Sequence, residues 1–206
     1  MASSTDVIGS LATSVADART VMDIIAGKDP KDGTSIESPY AIQTTNDIKK
    51  IGVVKEWLGE GVEPEVKIAI TTAIDSLKSQ GYEVNEVSLP SLAYSLAVYY
   101  IIMPAEVASN LARYDGIRYG VRPDSSSTLE SVYSETRTAG FMPENKRRIM
   151  IGNYVLSSGY YDEYFNKAAK VRTLIVDEFK RAFDSYDVLV GPTVPTTAFA
   201  LGKNTH

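Results

Sequence analysis

Apolar residues recur every three to four positions over 11–26, where Leu11, Val15, Ala18, Val21, Met22, Ile25 and Ala26 share one helical face and Ser14, Asp17 and Arg19 lie opposite. The spacing predicts a helix that stops at Gly27. Turn-forming residues from Lys28 to Ser35 predict a loop, and 36–47 stay polar and irregular. The period then changes. Lys50 to Lys55 is a short β-branched run and predicts a strand. Pro64 suits the first turn of a helix whose apolar face is Val66, Ile70, Ala73, Ile74 and Leu77, closed by Gly81. Residues 82–89 predict a second strand. Strand, helix and strand over 50–89 make a βαβ unit, with parallel pairing if both strands share one sheet.

A long apolar pattern covers 91–119, with Leu92, Leu96, Val98, Tyr99, Ile102, Ala105 and Ala108. It predicts a helix kinked or divided at Pro104 and ended by Gly116 and Gly120. Thr128 is placed to cap a helix through Arg137, and a further helix runs from Glu144 to Val155. The clearest helical period is 160–184. Tyr186 to Thr193 is a continuous apolar run between turn residues, the pattern of a strand buried on both faces. The chain is α/β and helix-rich, with three strands. That is few for so much helix: either strands escape the pattern, or the chain is a piece of a larger sheet.

Composition narrows the chemistry. The 206 residues are 44% hydrophobic and 23% charged, as in globular proteins. There is no cysteine, which excludes disulfides, thiolate nucleophiles and cysteine-held metal. The one histidine is His206, so a histidine-dependent triad or metal site is disfavoured. A net charge of −5 argues against free-standing nucleic-acid binding. No unbroken apolar run approaches the roughly 20 residues of a membrane span. The first residues have no basic flank and no long apolar stretch, so a cytoplasmic location is expected.

Five features could carry function. Lys146-Arg147-Arg148 opens a helix and is either a solvated face or a carboxylate clamp, since one guanidinium can hold a carboxylate through two parallel bonds. Tyr99-Tyr100 lies among apolar residues and suits core packing. Ser157-Ser158 at a helix break suits an N-cap, with no general base beside it. Gly191-Pro192-Thr193 follows a strand, where it is either a rigid exit turn or the edge of a ligand site. Arg113 to Gly120 mixes aromatics with arginines and suits a helix-terminal turn with cation–π packing. Phosphate loops, GxGxxG, HExxH and GxSxG are absent, so the residues by themselves give no self-contained catalytic site.

Several blocks resemble the amidase signature family, and within it the A-type subunits of bacterial glutamyl-tRNA(Gln) amidotransferases. They are Ala2 to Gly9, Asp29-Pro30-Lys31-Asp32 with Thr34-Ser35, Glu56 to Val62, and Glu86-Val87-Ser88-Leu89-Pro90. They continue with Ala108 to Gly120, Lys146 to Met150, Leu156 to Asp162, Lys170 to Ile175, and Tyr186 to Thr193. The resemblance implies a helix-rich fragment of the amidase-signature mixed-sheet fold. It implies one incomplete amidase domain over 1–206, with the family's catalytic lysine and paired serines before residue 1 and a further substrate-holding segment after residue 206. It implies glutamine as substrate, hydrolysed for ammonia that another subunit uses to amidate glutamyl-tRNA(Gln). It assigns no catalytic residue and no metal ligand to these positions. Arg148 would hold the α-carboxylate of glutamine, and Tyr99 would line the pocket. Subunits of the B and C types are the implied partners, tRNA enters only through the complex, and ATP and Mg²⁺ belong to the partner step. The chain is expected to be inactive alone. A non-catalytic folding or docking module, and a general amidase of the same family, are the alternatives. An independent carboxylate-based hydrolase ranks last, for want of a paired site.

Overall fold

The computed structural model describes residues 1–33, 35, 37 and 48–203. The polar stretch expected over 36–47 lies outside the described residues apart from residue 37, as does His206. Contacts divide the chain into two compact units, Thr5–Asp47 and a larger one made of Met1–Ser4 with Ile48–His206.

The smaller unit carries helix α1, Val15–Ile25. Ser14 caps it by accepting from the Asp17 N–H. Gly27 follows at φ +123°, a conformation that costs a Cβ-bearing residue. None of the residues of α1 is buried.

In the larger unit, β1 (Lys50–Val54), α2 (Pro64–Ser79) and β2 (Glu83–Val87) form the expected βαβ unit, with Pro64 in the first turn of α2. β1 pairs with β2 in parallel, Ile51 opposite Val84 and Val53 opposite Glu86. β3 (Val188–Val190) pairs with the other side of β1, also in parallel, giving the order β2-β1-β3. The strand expected to be buried on both faces is therefore an edge strand among the described residues, and its three residues are half-buried. The central place belongs to β1, where Ile51, Gly52, Val53 and Val54 are buried. Val54 packs on Leu89 and Ala182, with Trp57 and Phe179 around them. Full burial of one such aliphatic side chain contributes roughly 1.5–3 kcal/mol. Asp187 secures the sheet edge by accepting the N–H groups of Lys49 and Lys50, both at 2.8 Å. Those bonds, Lys50 first, hold its carboxyl below the usual range.

A 3₁₀ turn, Pro90–Tyr94, leads into α3 (Ser95–Leu111). α3 stays helical through Pro104, which sits fully buried, so the expected division does not occur. Its packed surroundings outweigh the single hydrogen bond that proline forfeits. α3 ends at Leu111, earlier than its glycines suggested. Beyond it Asp115 turns its carboxylate inward and accepts from the N–H groups of Ile117 (2.9 Å), Arg118 (2.9 Å) and Tyr119 (3.3 Å), a local bonding pattern that competes with helix. The stretch Pro90–Leu111 is long and apolar enough for a membrane span by composition, which the absence of an unbroken apolar run did not anticipate. Its Val98, Ile102, Met103, Ala105, Val107 and Ala108 are buried against the rest of the unit, as in a central core helix.

α4 (Leu129–Gly140) starts with a capping box between Thr128 and Ser131. α5 (Pro143–Leu156) packs along α3 more extensively than any other helix. A π turn, Asp162–Asn166, leads into α6 (Lys167–Phe183), whose Ala168 and Val171 meet Val98 and Ile102 of α3. Ser157 does not cap the following helix. Its hydroxyl donates to the Tyr154 carbonyl at 2.7 Å, closing the end of α5 instead.

Candidate functional site

Arg148 stands in the second turn of α5, four residues before Gly152, so the two share one helical face. Gly152 packs tightly on α3, its backbone lying against Pro104 and Ala108. That crossing places the Arg148 side chain, 22% exposed, beside α3. Its Nη1 lies 3.4 Å from the Met103 sulfur, and its Nε donates to Glu144 Oε1 at 2.7 Å. Nη2 has no protein partner among the described residues, so one end of the guanidinium fork remains for an incoming acceptor. A planar, permanently charged fork in this setting suits a carboxylate.

Tyr99 lies one turn before Met103 on the same face of α3. It is 42% exposed and meets Tyr100 edge-on, ring centroids 5.3 Å apart. Core packing therefore does not account for this pair. Met103 relates the two candidates: it lies one turn from Tyr99 on α3 and touches Arg148 of α5.

Arg147 is the more exposed of the two arginines, 59% against 22% for Arg148. It grips Glu144 through Nε and Nη2, both at 2.8 Å. The bond from Arg147, with that from Arg148, holds the Glu144 carboxyl down to about 2. Glu144 was not singled out from the sequence, although its i,i+3 and i,i+4 spacing to the two arginines was a legible signal.

A second cluster had no signal in the sequence. Ser4 donates its N–H to Glu106 at 2.9 Å and its hydroxyl to the same carboxylate, while Arg172 bonds Ser4 Oγ (2.6 Å) and its carbonyl (2.8 Å). Asn110 holds the Met1 carbonyl and Ser3 Oγ, both at 2.9 Å. Ala2 is buried against Met103 and Val107. Residues 1–4 are thereby fixed along the stripe of α3 that carries Tyr99 and Met103. Bonded through its backbone as well as its hydroxyl, Ser4 is an anchor in this arrangement.

A hollow of about 520 Å³ lies between α3, α4 and α5 and is lined by Leu111, Phe141, Ile149 and Met150 with Arg137 and Lys146. It includes neither Tyr99 nor Arg148. Its cations are already committed, Arg137 to the carbonyls of Ala112 and Tyr114, Lys146 to that of Thr138. The turn after β3 is closed rather than open: Glu63 accepts from the Thr197 N–H and hydroxyl, and the Trp57 ring lies against Gly191. Tyr154, Tyr160 and Tyr164 form an aromatic trio in which the bond from Tyr160 pushes the Tyr154 phenol up to about 12. Arg118 lies 6.0 Å from the Tyr119 ring centre, the cation–π contact expected of that turn. Among the described residues no group of three or more acidic or histidine side chains could hold a metal ion.

The family model described as Amidase matches residues 1–206. The chain is 50% identical over 206 residues to the A-type subunit of the glutamyl-tRNA(Gln) amidotransferase of Macrococcus caseolyticus, covering 98% of this chain and 43% of that protein. It is 52% identical over 209 residues to the protein of the same name from a Cyanothece strain, covering 99% and 43%. The chain thus spans little more than two fifths of the curated relatives it matches. Among solved structures it resembles the A-type subunit of the glutamyl-tRNA(Gln) amidotransferase of Thermotoga maritima, with TM-score 0.62 and 33% identity over 92% of this chain and 37% of that one. A 6-aminohexanoate cyclic dimer hydrolase shares the fold, with TM-score 0.60 at 18% identity, covering 93% and 38%.

Proposed function

The chain belongs to the amidase family, and on that premise we propose that it carries the substrate-carboxylate grip of the glutamine-hydrolysing A-type subunit of a glutamyl-tRNA(Gln) amidotransferase. Arg148 binds the α-carboxylate of glutamine through the open end of its fork, and Tyr99 lines the pocket on the α3 side. The observation that carries this is Arg148 itself: a guanidinium held on two sides, by Glu144 and Met103, with the third left for an acceptor. The identity to A-type subunits supports the choice of glutamine over other amides.

The chemistry is amide hydrolysis. A serine hydroxyl adds to the side-chain amide carbonyl, ammonia leaves as the acyl-enzyme forms, and water releases glutamate. These 206 residues bind and orient the substrate, and the attacking serine with its lysine-linked activation belongs to parts of the family's domain outside them. Partner subunits of the B and C types receive the ammonia, tRNA joins only through the complex, and the assembly is cytoplasmic. ATP and Mg²⁺ serve the partner's step, and the described residues offer no cluster that fits the metal.

A glutaminase assay tests the division of labour. The 206-residue chain should release no ammonia from glutamine above a buffer blank. In the full-length subunit, Arg148→Ala should raise KM for glutamine by about 30-fold, the loss of roughly 2 kcal/mol for a charge-assisted bond. Ammonia release by the short chain would contradict the division of labour, and an unchanged KM in the full-length Arg148→Ala variant would contradict the grip.

A further inference from the structure

The geometry points to Glu144 as the positioning residue of Arg148, with Arg147 supplying the charge that keeps the trio cationic; this rests on the assignment of Arg148 as the carboxylate grip. A guanidinium on a long flexible side chain loses much rotamer freedom when it binds. Here that freedom is already restricted. Glu144 sits four residues earlier on α5 and takes the Nε–H at 2.7 Å, which sets the plane of the fork, while the Met103 sulfur closes the Nη1 side. The remaining Nη2 end is then aimed by contacts made before any substrate arrives.

A carboxylate beside the grip has a cost of its own, because it repels the anion to be bound and neutralises the cation that binds it. Arg147 removes that cost. Its bidentate pairing with Glu144 adds a second guanidinium, so the three side chains together carry one net positive charge. Arg147 is 59% exposed, so it holds Glu144 while remaining largely in solvent. The Arg147 and Arg148 bonds also keep the Glu144 carboxyl ionised far below neutral pH. The consecutive arginines thus have different tasks: one meets the substrate, the other compensates the residue that orients it.

The test uses the 206-residue chain and the Nε–Hε resonance of Arg148, assigned by its loss in Arg148→Lys. The parent chain should show a resolved, slowly exchanging correlation without any ligand. Glu144→Gln should collapse it into the averaged signal of exposed arginines, and Glu144→Asp should retain part of it. Arg147→Gln should leave the correlation in place. Titration with L-glutamine should then weaken about tenfold in Glu144→Gln and several-fold in Arg147→Gln. An unchanged Arg148 correlation in a folded Glu144→Gln chain overturns the positioning role. If Arg148→Ala binds glutamine as the parent does, the carboxylate-grip assignment fails instead, and the resonance still decides whether Glu144 positions Arg148.

Discussion

A Cβ built on Gly152 of α5 would stand 2.0 Å from the carbonyl oxygen of Pro104 on α3. The clash is with backbone, so no rotamer change relieves it, and a larger residue must push the helices apart. Gly152→Ala should cost roughly 2 kcal/mol and lower the melting temperature by about 6 °C. Because Arg148 shares that face of α5, the variant should also weaken glutamine binding in the full-length subunit. Thermal melting followed by circular dichroism checks the first effect, and an unchanged midpoint would refute the close approach.

Asp115 gathers three backbone N–H groups with a side chain almost wholly covered by its own turn. Those bonds, that from Ile117 first, hold its carboxyl at about 2. The folded value lies below the unfolded one, so the unfolded chain takes up the proton first as the solution is acidified. The stabilisation is present above about pH 4 and is lost as pH falls towards 2. Glu144, also held at about 2, contributes over the same window. Asp115→Asn should therefore flatten the fall in stability between about pH 4 and pH 2 without abolishing it. Urea midpoints across that range are the measurement, and a slope identical to the parent's would count against the turn.

Thr136 buries its hydroxyl, without a hydrogen-bond partner among the described residues, on the side of α4 facing Gly116. An unpaired buried hydroxyl carries its desolvation cost in full. Thr136→Val removes that cost at nearly constant shape and should raise stability by about 1 kcal/mol, or roughly 3 °C in melting temperature. A lower midpoint would mean that the hydroxyl has a partner in solution.

What could be read from the sequence follows the range of the interactions. The stop at Gly27, the start at Pro64, the cap at Thr128 and the separate strands and helix of the βαβ unit depend on neighbours within a few residues, and the structure has each of them. The end of α3 was misplaced because a carboxylate, Asp115, captured the backbone ahead of the glycines. Val188-Leu189-Val190 was expected to be buried on both faces and is half-buried, because among the described residues β3 pairs on one side only, with β1. The site shows the same division. Arg148 and Tyr99 stood out through family resemblance, and Glu144 was within reach by helical spacing. The anchoring of Ser4 by Glu106 and Arg172 joins positions 102 and 168 residues apart, which no local pattern announces.

The central claim is that Arg148 recognises the α-carboxylate of the substrate. It is tested most directly by comparing kcat/KM for L-glutamine and for its α-carboxamide in the full-length subunit, with and without Arg148→Ala. The parent should prefer glutamine by about 30-fold, and the variant should show almost no preference. If Arg148→Ala keeps the parent's discrimination, the carboxylate is held elsewhere and the account is wrong.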